Sequence, residues 1–387
     1  MLKEKSSILV TCAKGHADVL KRELTELGYP IEQEKNLGVF TRGDLNDTIH
    51  LNFRLRTGLR VLYHLADFKA QTADDLYRHV KKLAWEDYID PDGYISITSS
   101  VYNPNIRDFR FANVKCKDAI VDRMQDIYNR RPDSGPDRGK TVLFLYWWED
   151  QASIYLDTSG EPLSKRGYRK IPGAAPMQEC LAAAVILTTG WDKASHFINP
   201  MCGSGTLAIE AAMMAANRAP GLLRHNFGFM HLKSYDESQY QAVRSQCRAE
   251  ITPITGRIIA SDIQKQAING ASKNADTAGV LQNIEFDTCD FAETEVPEGG
   301  GVVVINPEYG MRLNETKALS AVYGRIGDFF KQDCKGYTGY IFTGNLDLAK
   351  RVGLKTKSRT VFYNGTIECR LLEYELYEGT KKVKYNP

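Results

Sequence analysis

The sequence predicts an α/β domain built on a parallel sheet, preceded by a smaller α+β region. Three observations carry this. Beyond residue 177, short apolar runs alternate with helical stretches, the pattern of βαβ units. Four of those runs end in a polar residue, Asn199, Asp262, Asp290 or Asn306, at the strand ends where open sheets of this kind bind ligands. The last two runs are joined by Asn364-Gly365. That pair is a strong hairpin signal, so the parallel sheet should finish on an antiparallel pair.

Taken in order, the chain opens with a strand over 8–12. A helical pattern over 17–27 is stopped by Gly28-Tyr29-Pro30, and a strand resumes over 38–41. From residue 49 a second block begins, with a helix over 51–56 that carries Arg54 and Arg56 on one side. A helix over 73–83, a strand over 94–98 and a helix over 113–128 with Lys115 and Lys117 follow. A proline-rich loop over 130–136 leads to strands over 141–147 and 152–156. This mixed order fits a small α+β module. A basic joint follows, Lys165-Arg166-Gly167-Tyr168-Arg169-Lys170, then Gly173-Ala174-Ala175-Pro176. It reads either as a solvated linker or as a phosphate contact, since Lys and Arg beside an aromatic suit an RNA backbone. The α/β part has an alanine-rich helix over 178–189 and a strand over 196–198 before a glycine loop. A helix over 207–216 comes next, then strands over 257–260, 283–286, 302–305 and 339–343 and the hairpin 358–372. The domains are placed at 1–48, 49–160 and 177–387, with a basic linker over 161–176.

Composition narrows the function. The 387 residues allow two or three domains, and 43% hydrophobic with 25% charged residues is ordinary for a soluble globular chain. No apolar run is long enough to span a membrane. Lys3-Glu4-Lys5 before a short strand reads as no signal peptide. Eight cysteines without a C-x-x-C pair suggest neither a zinc site nor a redox motif, and point to the cytosol. The net charge of +2 and pI near 8.0 leave nucleic-acid binding to a local patch. No oligomeric state is indicated.

The chemistry is concentrated at two strand ends. In Asn199-Pro200-Met201-Cys202-Gly203-Ser204-Gly205-Thr206 two glycines let the backbone turn sharply and approach a ligand. A dinucleotide fingerprint would want an acid about 20 residues on, but Asp262 lies 57 residues beyond Gly205 (262 − 205). In a nucleoside-binding reading, Asp262 accepts from ribose hydroxyls, Asp290 accepts from the adenine amine and Phe291 lies against the ring. Each Asp alone also reads as a helix N-cap. Asn306-Pro307-Glu308-Tyr309 follows the run Gly-Val-Val-Val-Ile. An acceptor-Pro-x-aromatic tetrapeptide suits methylation of an exocyclic base amine. Asn306 and the Pro307 carbonyl accept its two N–H bonds, and Tyr309 stacks on the flipped base. As a bland alternative, Asn-Pro is ordinary turn chemistry.

Together these residues resemble the large-subunit rRNA guanine-N2 methyltransferase family, a THUMP RNA-binding module fused to a Rossmann-like S-adenosylmethionine domain. In the N-terminal part the resemblance rests on Arg54-Leu55-Arg56-Thr57, Trp85 with Tyr88, Lys117-Asp118-Ala119-Ile120 and the segment 163–169. In the catalytic part it rests on 174–179 with Leu181-Ala182-Ala183-Ala184, on Pro200 to Thr206 with Ile209-Glu210-Ala211-Ala212, and on Asn217-Arg218-Ala219-Pro220-Gly221, which opens an insertion. It implies a ferredoxin-like segment before the THUMP domain, S-adenosylmethionine as cofactor and ribosomal RNA as partner, with no metal, in the cytoplasm. It implies cofactor contacts from Pro176, Glu179, Asn199, Cys202, Gly203, Gly205, Thr206, Asp262, Ile263, Asp290 and Phe291, and catalysis by Asn306, Pro307 and Tyr309. RNA contacts fall to Lys165, Arg166, Arg169 and Glu308. The chain departs from the family at two places: Asn199 stands for the usual Asp, and Glu308 for the second proline of Asn-Pro-Pro-Tyr. Glu308 is expected either to accept from guanine N1–H, which adenine lacks, or to point to solvent, and not to act as a general base. Competing functions are adenine-N6 or tRNA guanine methylation, a catalytically silent RNA-binding assembly protein, and, disfavoured by spacing, a nicotinamide oxidoreductase.

Overall fold

A computed structural model describes residues 4–171, 177–310 and 316–377. The chain divides into two units, Met1–Arg166 with Ala219–Glu250, and Gly167–Arg218 with Ile251–Pro387.

The first unit is built on one sheet of eight strands. In chain order its elements are β1 (Ser6–Thr11), α1 (Ala17–Glu26), β2 (Gln33–Lys35), β3 (Gly38–Gly43), α2 (Leu45–Arg54), β4 (Arg60–Lys69), α3 (Ala73–Lys82), β5 (Tyr94–Tyr102), α4 (Phe109–Tyr128), β6 (Asp133–Ser134), β7 (Thr141–Trp148) and β8 (Gln151–Asp157). The strand order is β2-β3-β1-β4-β8-β7-β5-β6. Helix α2 starts six residues before the position read from sequence, because Asp44 and Asp47 form a reciprocal capping box there. Strand β4 was not expected. It lies mid-sheet between β1 and β8, and Val61, Leu62 and Tyr63 are consecutively buried. A strand covered on both faces loses the alternation that advertises strands.

The second unit holds α5 (Glu179–Thr189), β9 (His196–Pro200) and α6 (Thr206–Ala215). After the segment containing α7 (Glu237–Ala249) come β10 (Ile258–Ser261), α8 (Lys265–Ala278), β11 (Glu285–Asp287), β12 (Gly301–Ile305), α9 (Thr316–Gln332), β13 (Tyr337–Thr343), α10 (Leu346–Ala349), β14 (Ser358–Asn364) and β15 (Ile367–Glu375). The seven strands run β11-β10-β9-β12-β13-β15-β14. The first five are parallel, and β15 is antiparallel to both β13 and β14. The α/β expectation and the closing antiparallel pair therefore hold. The hairpin pairs Asn364 with Ile367, so its two loop residues are Gly365 and Thr366, one place beyond Asn-Gly. Gly365 supplies the positive φ of 62° that the turn needs. Apolar residues of α9, among them Ile326, Phe329 and Phe330, bury one face of the sheet against Val303, Ile305 and Ile341. The strand order reverses between β9 and β12, which opens a crevice at their carboxyl ends.

The insertion Ala219–Glu250 clusters with the first unit, although the reading from sequence ran 177–387 as one domain. Its contacts explain why. Phe227 and Tyr240 pack on Phe53 with ring centroids 5.5 and 5.6 Å apart. A Cβ on Gly221 would stand 2.4 Å from Phe53 Cα, so only glycine fits. The Arg224 guanidinium donates to the carbonyls of Ser159 and Pro162. Arg54 Nη2 donates to both carboxylate oxygens of Glu250, at 2.9 and 3.0 Å.

Candidate active site

A cavity of about 590 Å³ opens at the reversal point of the second unit, within the size range of small-molecule sites. One wall comes from the loop after β9 and the start of α6, through Met201, Cys202, Gly203, Ser204 and Thr206, together with Asp262 and Ile263 after β10. The facing wall is Asn306, Pro307 and Glu308 after β12, with Leu319 and Val322 of α9.

The glycine loop is held by backbone bonds. Cys202 N donates to Ser261 O at 2.9 Å, and Gly203 N donates to Asp262 Oδ2 at 3.0 Å. Gly205 has φ 78°, and a Cβ there would lie 2.8 Å from Ala271 Cβ on α8. Asp262 Oδ1 accepts from Gln264 N at 2.9 Å. A carboxylate offers about four lone-pair sites, so two remain for a ligand. Ile263 beside it is 68% exposed, an apolar surface in the cavity wall. Asn199 is fully buried behind the loop and donates from Nδ2 to Val304 O at 2.8 Å, tying β9 to β12. An aspartate could not donate that bond.

In the basic joint the two arginines are engaged within the protein, while Lys165 and Lys170 are exposed. Arg166 is 1% exposed and donates to the carbonyls of Leu163 and Arg56. Arg169 braces the glycine loop. It donates to Ser204 Oγ at 3.2 Å, to Glu179 Oε1 at 3.1 Å and to Met177 O at 2.6 Å. Guanidiniums engaged in this way are structural, which corrects their reading as RNA contacts. Lys165 is exposed and paired with Glu161. Glu179 is buried on Arg169 and does not line the cavity. Pro176 lies outside the described residues.

The second acidic strand end, at Asp290, differs from expectation. Asp290 Oδ1 accepts from Ala292 N at 3.0 Å and from Arg325 at 2.6 Å. Burial alone would raise its carboxyl, but the Ala292 N–H and the Arg325 guanidinium outweigh it and hold the group below its ordinary value. Phe291 is 5% exposed, with Phe329 at its edge and Arg325 over its ring at 4.8 Å. Neither residue lines the cavity. Phe291 spends its ring on the core, which corrects its assignment to an adenine face.

At the facing wall, Pro307 is buried and Glu308 is exposed. The Glu308 carboxylate makes no hydrogen bond or ion pair among the described residues. Tyr309 does not line the cavity. Its ring turns inward towards Phe342, and its Cδ2 comes 3.1 Å from where a Cβ on Gly344 would be. Its hydroxyl donates to Asn306 Oδ1 at 2.9 Å. It therefore fixes the Asn306 amide where stacking on a base was expected. An amide oxygen has two lone pairs, so Asn306 Oδ1 keeps one for a ligand. Tyr323, Arg325 and Asn345 were not singled out from sequence. They sit in an ordinary amphipathic helix and a strand-end turn, and nothing in their local pattern separates them from scaffold. The arrangement offers acceptors and apolar surface for a nucleoside on one wall, and an amide acceptor with an uncommitted carboxylate on the other.

Three domain families match the chain: the RlmL ferredoxin-like domain over 7–62, the THUMP domain over 70–157 and the RMKL-like methyltransferase domain over 166–373. Ribosomal RNA large subunit methyltransferase K/L of Psychromonas ingrahamii is 37% identical over 98% of this chain, which spans 52% of that protein. The chain thus has about half the length of such relatives. A provisionally named RNA methyltransferase of Synechocystis sp. is 34% identical over 95% of this chain and 96% of its own. Among solved structures, SMU.472, a provisionally named methyltransferase complexed with SAH, superposes with a TM-score of 0.89 at 29% identity, covering 98% of this chain and 100% of that one.

Proposed function

The chain belongs to the RMKL-like methyltransferase family, and from that premise we propose that it transfers a methyl group from S-adenosylmethionine to the N2 amine of a guanine in 23S ribosomal RNA. The observation that carries the reading is one cavity with Gly203 and Asp262 on one wall and Asn306, Pro307 and Glu308 on the other. The first wall fits the cofactor: Asp262 keeps two acceptor sites for ribose hydroxyls, and exposed Ile263 offers its flank to a purine. The likeness to a structure holding SAH supports the same fit.

S-adenosylmethionine supplies a methyl group made electrophilic by its sulfonium. The chain's part is to hold the amine. Asn306 Oδ1, steadied by the Tyr309 hydroxyl, takes one N–H with its second lone pair, and the Pro307 carbonyl takes the other. The nitrogen lone pair is then turned out of the ring and toward the donor. As the N–C bond forms, the methyl–sulfur bond of the donor breaks, its electron pair staying on sulfur to give neutral S-adenosylhomocysteine. The amine gains acidity and its proton leaves to water, so no strong base is needed. Glu308 carries an uncommitted carboxylate that can accept guanine N1–H. Adenine has no hydrogen there and would present a lone pair to it, so this wall favours guanine. The first unit matches the THUMP domain, and we assign it to RNA engagement. No helix among the described residues is long and apolar enough to cross a membrane; ribosomal RNA as substrate and eight cysteines that form no disulfide suit the cytoplasm.

Nucleoside mapping of ribosomal and transfer RNA from a deletion strain tests this. One N2-methylguanosine should vanish from 23S RNA, returning with the intact gene and not with Asn306→Ala. A missing N6-methyladenosine, or a change confined to transfer RNA, would refute the substrate.

A further inference from the structure

The loop at 306–309 lacks the second proline that would stiffen it, yet two successive carbonyls are gripped from behind. Tyr323 Oη on α9 donates to Glu308 O at 3.2 Å. Asn345 Nδ2 at the start of α10 donates to Tyr309 O at 2.9 Å. The grips are joined through Thr343 Oγ1, which lies 2.8 Å from Tyr323 Oη and accepts from Asn345 N at 3.0 Å. Each hydroxyl has one proton, so the directions follow. The Asn345 N–H donates to Thr343, the Thr343 hydroxyl donates to Tyr323, and the Tyr323 hydroxyl donates to Glu308 O. Tyr323 and Thr343 are both fully buried, where a broken link leaves a polar group without water to replace its partner. Burial pushes the Tyr323 phenol up to about 12, so it stays a donor at neutral pH.

We propose that Tyr323 is a positioning residue for methyl transfer, its hydroxyl clasping the Glu308 backbone in place of the absent proline. The proposal rests on reading Asn306, Pro307 and Glu308 as the amine-binding wall. A proline at 308 would restrain the loop through its own φ and through the residue before it. The clasp restrains it through the carbonyl. Two devices limiting one motion are partly redundant, so their removal should be non-additive.

The test compares the intact chain, Tyr323→Phe, Glu308→Pro and the double variant. Deuterium uptake is read over the loop 306–310, and single-turnover methyl transfer at saturating S-adenosylmethionine on 23S RNA is read beside it. Tyr323→Phe should raise loop uptake and slow transfer about fivefold, as for one net hydrogen bond lost, with the KM for S-adenosylmethionine unchanged. In the Glu308→Pro background the same change should cost less than about twofold. Thr343→Val, which keeps the shape and removes the relay hydroxyl, should reproduce the rise in uptake. Unaltered uptake in both Tyr323→Phe and Thr343→Val, or equal effects of Tyr323→Phe in the two backgrounds, overturns the clasp. If the intact chain methylates no RNA, the proposed function falls, and the uptake comparison still decides the clasp.

Discussion

The two walls of the cavity are stiffened by different means. On the β9–β10 wall the loop carrying Gly203 is held by backbone donors to its neighbours, Cys202 N to Ser261 O and Gly203 N to Asp262. On the β12 wall the loop is held by side chains, with Tyr323 and Asn345 donating to the carbonyls of Glu308 and Tyr309. The first loop spends its own backbone N–H groups on partners 59 positions on (261 − 202 and 262 − 203). The second offers only carbonyls and depends on donor side chains 15 and 36 positions on (323 − 308 and 345 − 309). The glycine motif therefore contains the donors that anchor its wall, whereas the four-residue catalytic motif offers acceptors and leaves the donors to side chains it does not name.

If the walls divide the labour as proposed, substitutions on each should separate rate from affinity. The largest effect is expected at Asn306. Asn306→Ala should slow single-turnover transfer by about 10²-fold, as for a lost transition-state hydrogen bond, and leave S-adenosylmethionine affinity unchanged by calorimetry. A matching loss of affinity would erase the distinction between walls. Next comes Asp262→Ala, expected to weaken cofactor binding by about 1.5–3 kcal/mol. Asp290→Ala should weaken it less, by about 1 kcal/mol or under, because Arg325 and Ala292 already occupy its Oδ1. Reversal of that order would restore Asp290 as the principal nucleoside acceptor.

The smallest effect concerns stability. The Asp290 carboxyl is held below its ordinary value by Ala292 N–H and Arg325 against the opposing effect of burial. A depressed carboxylate contributes stability that is present above its unfolded pKa of about 3.9 and is lost as pH falls through the folded value. Arg325→Met should therefore lower the melting temperature at pH 7, with a difference that shrinks below about pH 4. A difference constant over that range would mean that Arg325 acts through its packing on Phe291 alone.

Much of this was legible in the chain itself. The parallel strands at 196–200 and 301–305 are short, buried and flanked by turn residues, so they announce themselves. Asp262 sits where strand-end acids bind ligands. Other features were not legible. An arginine in a basic run has the same local signature whether it meets solvent or, like Arg166, buried carbonyls. Tyr309 turns inward because Gly344, just after β13, has no side chain to block it, and no local pattern announces that space. Strand β4 was missed because burial on both faces removes alternation.

The segment Ala219–Glu250 has a consequence for synthesis. The chain leaves the first unit after Arg166, returns at Ala219 and leaves again after Glu250. A nascent chain emerges from its amino end, and domains generally fold as units as they appear. Here the amino-terminal unit remains unfinished, with Phe53 lacking Phe227 and Tyr240, until residues 219–250 have followed β9 and the glycine loop out of the ribosome. The catalytic half must begin before the half made first can be completed.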